Sequence, residues 1–492
     1  MKSISKALFR ALALAAVLLS SQPATSAQTV SKRDRAYLDA MFDNIKGDKL
    51  FNYVKHLSDS TIYQGRLVGT KGMKRAVDFV CGKFSEFGLD SLPGTQGYCQ
   101  VYPHHPGVEI TGKCYVKIDG KKLEWAKEWY AGGTSANGVA DAEIVFAGYG
   151  VTAPELGYDD YENIDVRGKI VLIEGETPNT GKDSASIAKW YPHTFHQSKM
   201  ANAVKHGAIG MIYNWAAGPN GSYDPSFIYA FIKDTVACQI FNKVGKDYHA
   251  TMKEIKKTQK PASFATGINA KIKMTTTYNP DAKGYNIFGV IPGSDPVLKD
   301  EYVILAAHLD HLGMNPYHIA GANDNLSCTA AILGVAEALA KSKVKPRRSI
   351  VLMSIDGEEA GLTGSTYYTE HPIIPKDKTK IIINLEQIGI GPKFQVGYRY
   401  DMPELADYVR TANSQYVHRY LWVYKTFFRT RPRTDGSVFM KAGYPAVDFA
   451  AYGGNNFYHD PRDSWEIQEP STLEDAAQIL YWSLINAADD VK

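Results

Sequence analysis

Val303-Ile304-Leu305-Ala306-Ala307-His308-Leu309-Asp310-His311-Leu312-Gly313 is an apolar run that breaks into imidazoles and a carboxylate. An unbroken apolar run of this length, without alternation, predicts a strand covered on both faces. Three more runs have the same character: Ser349 to Ile355, Lys380 to Leu385 and Ala446 to Ala450. Helical periodicity lies between them, notably over Asn325 to Ala340 and Met402 to Tyr416. Buried strands alternating with helices predict an α/β fold, a three-layer α/β/α sandwich around a mixed, mostly parallel central sheet. In such sheets ligands bind outside the carboxyl ends of the strands.

Each strand is followed by residues that can do chemistry. The first runs into His308, Asp310 and His311, the second into Asp356-Gly357-Glu358-Glu359, and the third ends at Glu386. Gly321-Ala322-Asn323-Asp324-Asn325 immediately precedes a helix, and Phe457-Tyr458-His459-Asp460-Pro461-Arg462-Asp463 follows the fourth strand. Carboxylates and imidazoles from separate strand ends thus gather at one edge of the sheet, a set of N and O donors suited to zinc. Competing chemistries are missing: the sequence has no H-E-x-x-H, G-x-S-x-G, G-x-G-x-x-G or G-x-x-x-x-G-K-[ST] motif.

The remainder of the chain frames this constellation. Residues 1–27 read as a secretory signal, with Lys2, Lys6 and Arg10 before the apolar run Ala11 to Leu19 and small residues at Thr25-Ser26-Ala27. That run is too short to anchor a membrane protein, so a secreted product, periplasmic or extracellular, is expected. Of 55 Lys and Arg, three lie in this stretch, and the remaining 52 balance 52 Asp and Glu. A neutral chain has no electrostatic footing for nucleic acid or anionic lipid. Helical periodicity over Asp34 to Ile45 and Lys49 to Leu57 precedes a glycine-punctuated loop, Gln64 to Gly72, which feeds a helix from Met73 to Phe87 that stops at Gly88. The middle changes texture to short β-like runs, such as Glu143 to Gly150 and Gly168 to Ile173, with no metal-type cluster in its spacing. These shifts divide the chain into 28–130, an inserted β-rich domain over 131–275, and 276–492. The five cysteines, Cys81, Cys99, Cys114, Cys238 and Cys328, are too sparse for a disulfide framework; a bridge between Cys99 and Cys114 is open on spacing.

The ordered set H-x-D-x-x-G, G-A-N-D-N, G-E-E-A-G-L, N-L-E and Y-H-D-P-x-D resembles the co-catalytic di-zinc aminopeptidase family, which includes bacterial leucine aminopeptidases and glutamate carboxypeptidase II. Gly65 to Thr70 and Asn286 to Gly293 match the same family. Asp165 to Leu172 and Asn202 to Gly210 resemble the protease-associated domain inserted in many members. The resemblance implies two Zn²⁺ per chain, bridged by Asp324, with His308 and Glu386 completing one site and Glu359 and His459 the other. It implies Glu358 as the general base acting on a metal-bridging water, Asp310 as the group that orients His308, and Tyr458 as a hydrogen-bond donor to the oxyanion. It also implies peptide substrates. Three positions depart from the family pattern: Glu386 replaces the Asp usual in aminopeptidases, Cys328 replaces a glycine, and Gly436 replaces the His of an S-D-H run, beside Asp435.

The substrate end is less determined. An aminopeptidase must hold a free α-ammonium, for which Glu358 and nearby carboxylates serve. A carboxypeptidase or dipeptidase needs arginines aimed at a carboxylate, and Arg429, Arg431 and Arg433 are placed to supply them. A one-zinc glutaminyl cyclase and a transferrin-receptor-like scaffold with a dead site are further alternatives, both disfavoured by the complete ligand set.

Overall fold

The computed structural model describes residues 30–181, 184–218, 222–426, 433–454 and 457–491. The signal-like stretch 1–27, Arg429 and Arg431 lie outside these residues. Among the described residues the chain forms two eight-stranded sheets. The first runs Cys99–Pro103, Lys283–Ile291, Ser349–Ile355, Tyr302–His308, Thr379–Glu386, Ala446–Tyr452, Lys393–Arg399 and Tyr420–Thr426 in spatial order. Its four central strands are the four apolar runs, and they pair in parallel. Antiparallel pairings flank them on both sides, so the sheet is mixed.

Successive residues of the central strands enter different cores. Val303, Leu305 and Ala307 pack with Ile332, Leu480 and the N-terminal helices through Leu50 and Val80. Ile304 and Ala306 pack on the opposite face with Tyr368 and Phe439. That two-sided burial is why these strands read as continuous apolar runs. It also makes the peptidase-like part a helix–sheet–helix sandwich. The helix Lys71–Phe87 starts where the Thr70 side chain accepts the Met73 N–H and stops at Gly88, whose φ of 76° only glycine adopts readily. The outer strands Lys393–Arg399 and Tyr420–Thr426 escaped the sequence reading because their residues are partly exposed and carry no long apolar run.

The second sheet orders Lys121–Lys122, Tyr115–Ile118, Phe264–Met274, Gly138–Phe146, Ile170–Glu174, Gly210–Asn214, Ile228–Ile232 and Trp129–Ala131. The chain therefore enters this sheet before residue 131, through Tyr115–Ile118. One of its two cores takes in Leu312 and Ile319, from the loop that follows His308. The second sheet is thereby packed directly against the loop leading out of the first. Cys99 lies with its Sγ 3.6 Å from that of Cys81, while Cys114 packs in the second sheet's core, so the Cys99–Cys114 pairing does not form. Cys328 is fully buried among apolar side chains of the main core. No helix among the described residues is long and apolar enough to cross a membrane.

Candidate metal centre

The carboxyl ends of the parallel strands deliver their polar residues to one place. His308 closes its strand and is buried. Its Nδ1–H donates to the main-chain carbonyl of Asp310 at 3.1 Å. Nε2 is then the nitrogen with a free lone pair, 3.3 Å from Asp324 Oδ1 and 3.5 Å from Glu386 Oε2. His459 is arranged in the same way: its Nδ1 donates to the carbonyl of Ala217, and its Nε2 faces Glu359 Oε2 at 2.8 Å and Asp324 Oδ2 at 3.8 Å. The two oxygens of Asp324 therefore point to different donor sets.

Two groups of atoms converge closely enough to share an ion: His308 with Asp324 and Glu386, and His311 with Asp324 and Glu359. The buried atoms Asp324 Oδ2, Glu359 Oε1 and His459 Nε2 have no hydrogen-bond partner among the described residues. Such atoms cost free energy unless something else satisfies them, and a divalent cation does so for carboxylate and imidazole donors together. The residues present thus fit a metal.

The loop that carries Asp324 is held by its neighbours. Asp463 accepts the N–H groups of Asn323 and Asp324, at 2.7 and 3.0 Å. Asn323 Oδ1 accepts Gly389 N–H, while Asn325 donates to Leu385 O and accepts Gln387 N–H. Both asparagines of the G-A-N-D-N stretch therefore tie it to the strand end bearing Glu386. Glu386 is aimed in turn by Asn384, which donates to Glu386 Oε1 and to Asp448 Oδ1, both at 3.0 Å. Gly436, where the resemblance led one to expect His, lies against this pair: a Cβ there would come within 1.9 Å of Asp448 Oδ1. The Asp435 carboxyl is buried beside it and pushed up to about 8 by that burial.

Asp310 acts differently from the expectation. Its carboxylate lies 3.7 Å from His308 Nδ1, beyond hydrogen-bond distance, and accepts the N–H groups of Glu358 and Glu359 instead. It orients His308 through its main-chain carbonyl and the two glutamates through its side chain. Glu358 stands outside both converging groups and lines the adjoining cleft. Burial pushes its carboxyl well above the ordinary range; His308 opposes this, and Glu359, Glu386 and Asp435 add to it. Tyr458 is half-exposed, lines the same cleft and stacks on His459 with ring centroids 3.7 Å apart.

The cleft has a volume of about 550 Å³ and is walled on its far side by the second sheet's domain, through His196, Trp215 and Lys256. Arg433 also lines it and pairs with Glu176 at 3.2 Å. Sequence reasoning missed Asp463, Asn384, Asp448 and His311 as contributors. Asp463 stands in the quoted Y-H-D-P-x-D stretch, but its partners become visible only in the fold. The inserted part also holds a donor trio that spacing concealed: Asp234, Cys238 and the exposed His249 converge at its surface.

Residues 286–483 match the model of peptidase family M28, and residues 139–248 match the PA domain. The part of the chain that carries every candidate ligand is thus similar to peptidase family M28. The PA domain is the one that forms the far wall of the cleft. This chain is 32% identical over 234 residues to the "Probable glutamate carboxypeptidase VP8" of Zea mays, covering 42% of this chain and 31% of the relative. It is 31% identical over 143 residues to "Leupeptin-inactivating enzyme 1" of Streptomyces exfoliatus, covering 29% and 30% of the two chains. The match thus spans about a third of the length of these curated relatives. An aminopeptidase from Aneurinibacillus sp. strain AM-1 superposes with a TM-score of 0.64 at 21% identity, covering 91% of this chain and 95% of that one. The zinc aminopeptidase BSAP of Bacillus subtilis gives 0.62 at 18%, covering 91% and 96%. At these identities the likeness concerns the fold.

Proposed function

We propose that this chain is an exported zinc exopeptidase, an aminopeptidase that uses two Zn²⁺ ions to release N-terminal residues from peptides. The observation that carries the reading is Asp324, whose two oxygens face separate donor sets. His308 and Glu386 would hold one ion, Glu359 and His459 the other, and Asp324 both. The ions supply Lewis acidity, lowering the pKa of water and stabilising negative charge that develops on the scissile carbonyl oxygen. Glu358, beside these ligands but not among them, takes a proton from the attacking water and returns it to the leaving amine. Tyr458 donates a hydrogen bond to the carbonyl oxygen as charge builds there. The carboxylate-rich floor suits a free α-ammonium. Arg433, the described member of the arginine trio, is already paired with Glu176, which favours an amino-terminal over a carboxy-terminal specificity. The leader-like residues 1–27 support export, and the charge balance gives nucleic acid no role.

The test offers the purified protein amino-acid anilides and peptides with free or acetylated amino termini. Release from free amino termini and none from acetylated ones is expected; the reverse preference overturns the aminopeptidase reading. Chelation should abolish activity and lower the melting temperature, and zinc should restore both. An ion present at a thousandfold excess over its Kd contributes about 4 kcal/mol. A melting curve indifferent to chelator would mean that these donors hold no ion.

Asp463 gives a second check. Asp463→Asn replaces one acceptor facing the Asn323 and Asp324 N–H groups with an amide donor. Zinc affinity should fall about 10- to 100-fold, as for other groups that orient ligands. Chelator competition measures this, and an unchanged affinity would refute the positioning role.

A further inference from the structure

His311 is fully buried, three residues beyond His308, and takes no part in the reading above. Its ring lies 5.6 Å from that of His459, centroid to centroid, at an interplanar angle of 78°. Its Nδ1 lies 2.7 Å from Glu359 Oε1, yet the pair lacks hydrogen-bond geometry, and neither ring nitrogen is hydrogen-bonded among the described residues. The ring is also fixed in place. The backbone N–H donates to Arg66 O, and a Cβ on Gly321 would come within 2.3 Å of His311 Cγ, so only glycine leaves room there.

A core histidine ordinarily satisfies at least one ring nitrogen, because each buried polar group left unpaired costs about 1–3 kcal/mol. His311 instead directs an unpaired nitrogen at atoms that are themselves unpaired. One of its ring nitrogens, an oxygen of Asp324 and an oxygen of Glu359 lie within 4.8 Å of one another. A close N···O approach without a hydrogen bond is what two ligands of one cation show.

We propose that His311 is a further ligand of the ion held by Asp324, Glu359 and His459. This rests on the two-zinc reading above and makes its two ions unequal. The ion at His311 has two imidazoles and two carboxylates, a closed set for zinc, whereas the ion at His308 has one imidazole and two carboxylates and keeps a position open. The His311 ion should therefore load first and leave last, with the His308 ion the more exchangeable.

X-ray absorption of the wild-type protein tests this without any variant. Loaded with two zinc ions, it should show three imidazoles shared between them; loaded with one equivalent, it should show two on that ion. His311→Ala should reduce the total to two and weaken the tighter ion at least about tenfold in chelator competition. Two bound ions carrying only two imidazoles between them, unchanged in the variant, would overturn the role of His311 and leave the two-zinc reading intact. A wild-type protein that binds fewer than two ions would overturn that reading and this inference with it.

Discussion

Glu358→Gln should retain both zinc ions and lose turnover by about 10²- to 10⁴-fold, the usual contribution of a general acid–base residue. Gln fills the same space and keeps a polar end in the cleft, but it cannot accept a proton from water at neutral pH. The main-chain N–H of Glu358, which Asp310 accepts, is untouched by the substitution, so the loop geometry should persist. Metal analysis and steady-state kinetics on the same preparation separate the possibilities. Loss of an ion in this variant would make Glu358 a ligand. Full activity would remove it from the reaction.

Arg66→Met should cost about 3–5 kcal/mol of stability, the range for removing one partner from a buried charged network. Arg66 is 0% exposed, and its guanidinium donates to the carbonyls of Leu309, Ala320, Gly321 and Leu57 at 2.8 to 3.3 Å. Three of those carbonyls, of Leu309, Ala320 and Gly321, lie between the candidate ligands His308 and Asp324, and that of Leu57 ends an N-terminal helix. Burial pulls the guanidinium down to about 10, opposed by Asp310, Asp463, Asp324 and Glu359, so it remains charged at neutral pH. Methionine matches the length of the stem but takes the donor away from all four carbonyls, of which Gly321 O keeps the Leu326 N–H, and leaves the carboxylates uncompensated. Urea unfolding measures the loss. A change under about 1 kcal/mol would mean that water takes over the guanidinium's hydrogen bonds. Gly65, beside it, allows the approach: a Cβ there would meet Gly313 O at 2.5 Å.

The central sheet was legible because burial on both faces writes itself into sequence as unbroken apolar runs. The residues that end those runs, His308, Glu358, Glu359 and Glu386, were legible for the same reason, since a strand end fixes where the next side chain goes. What depends on loops folding back was not. Asp310 is two residues from His308, yet its carboxylate serves the glutamates across the sheet, which spacing does not reveal. His311 sat in plain view in the opening stretch, but its ring is aimed by contacts with Arg66 and Gly321. Arg66 itself belongs to a residue type almost never fully buried, so no composition argument would place it in a core. Cys99 meets Cys81 because a strand edge lies along a helix, a juxtaposition that sequence distance does not encode.

The hydrogen bond from His459 to the Ala217 carbonyl joins a candidate ligand to the PA domain, and Leu312 and Ile319 join the loop after His308 to that domain's core. Domain docking and ion binding are therefore two legs of one thermodynamic cycle. Whatever free energy the docked domain adds to the hold on an ion at His459, that ion returns in equal measure to the docking. A ligand that pried the domain away would loosen the ion, and the ion would resist the prying to the same degree.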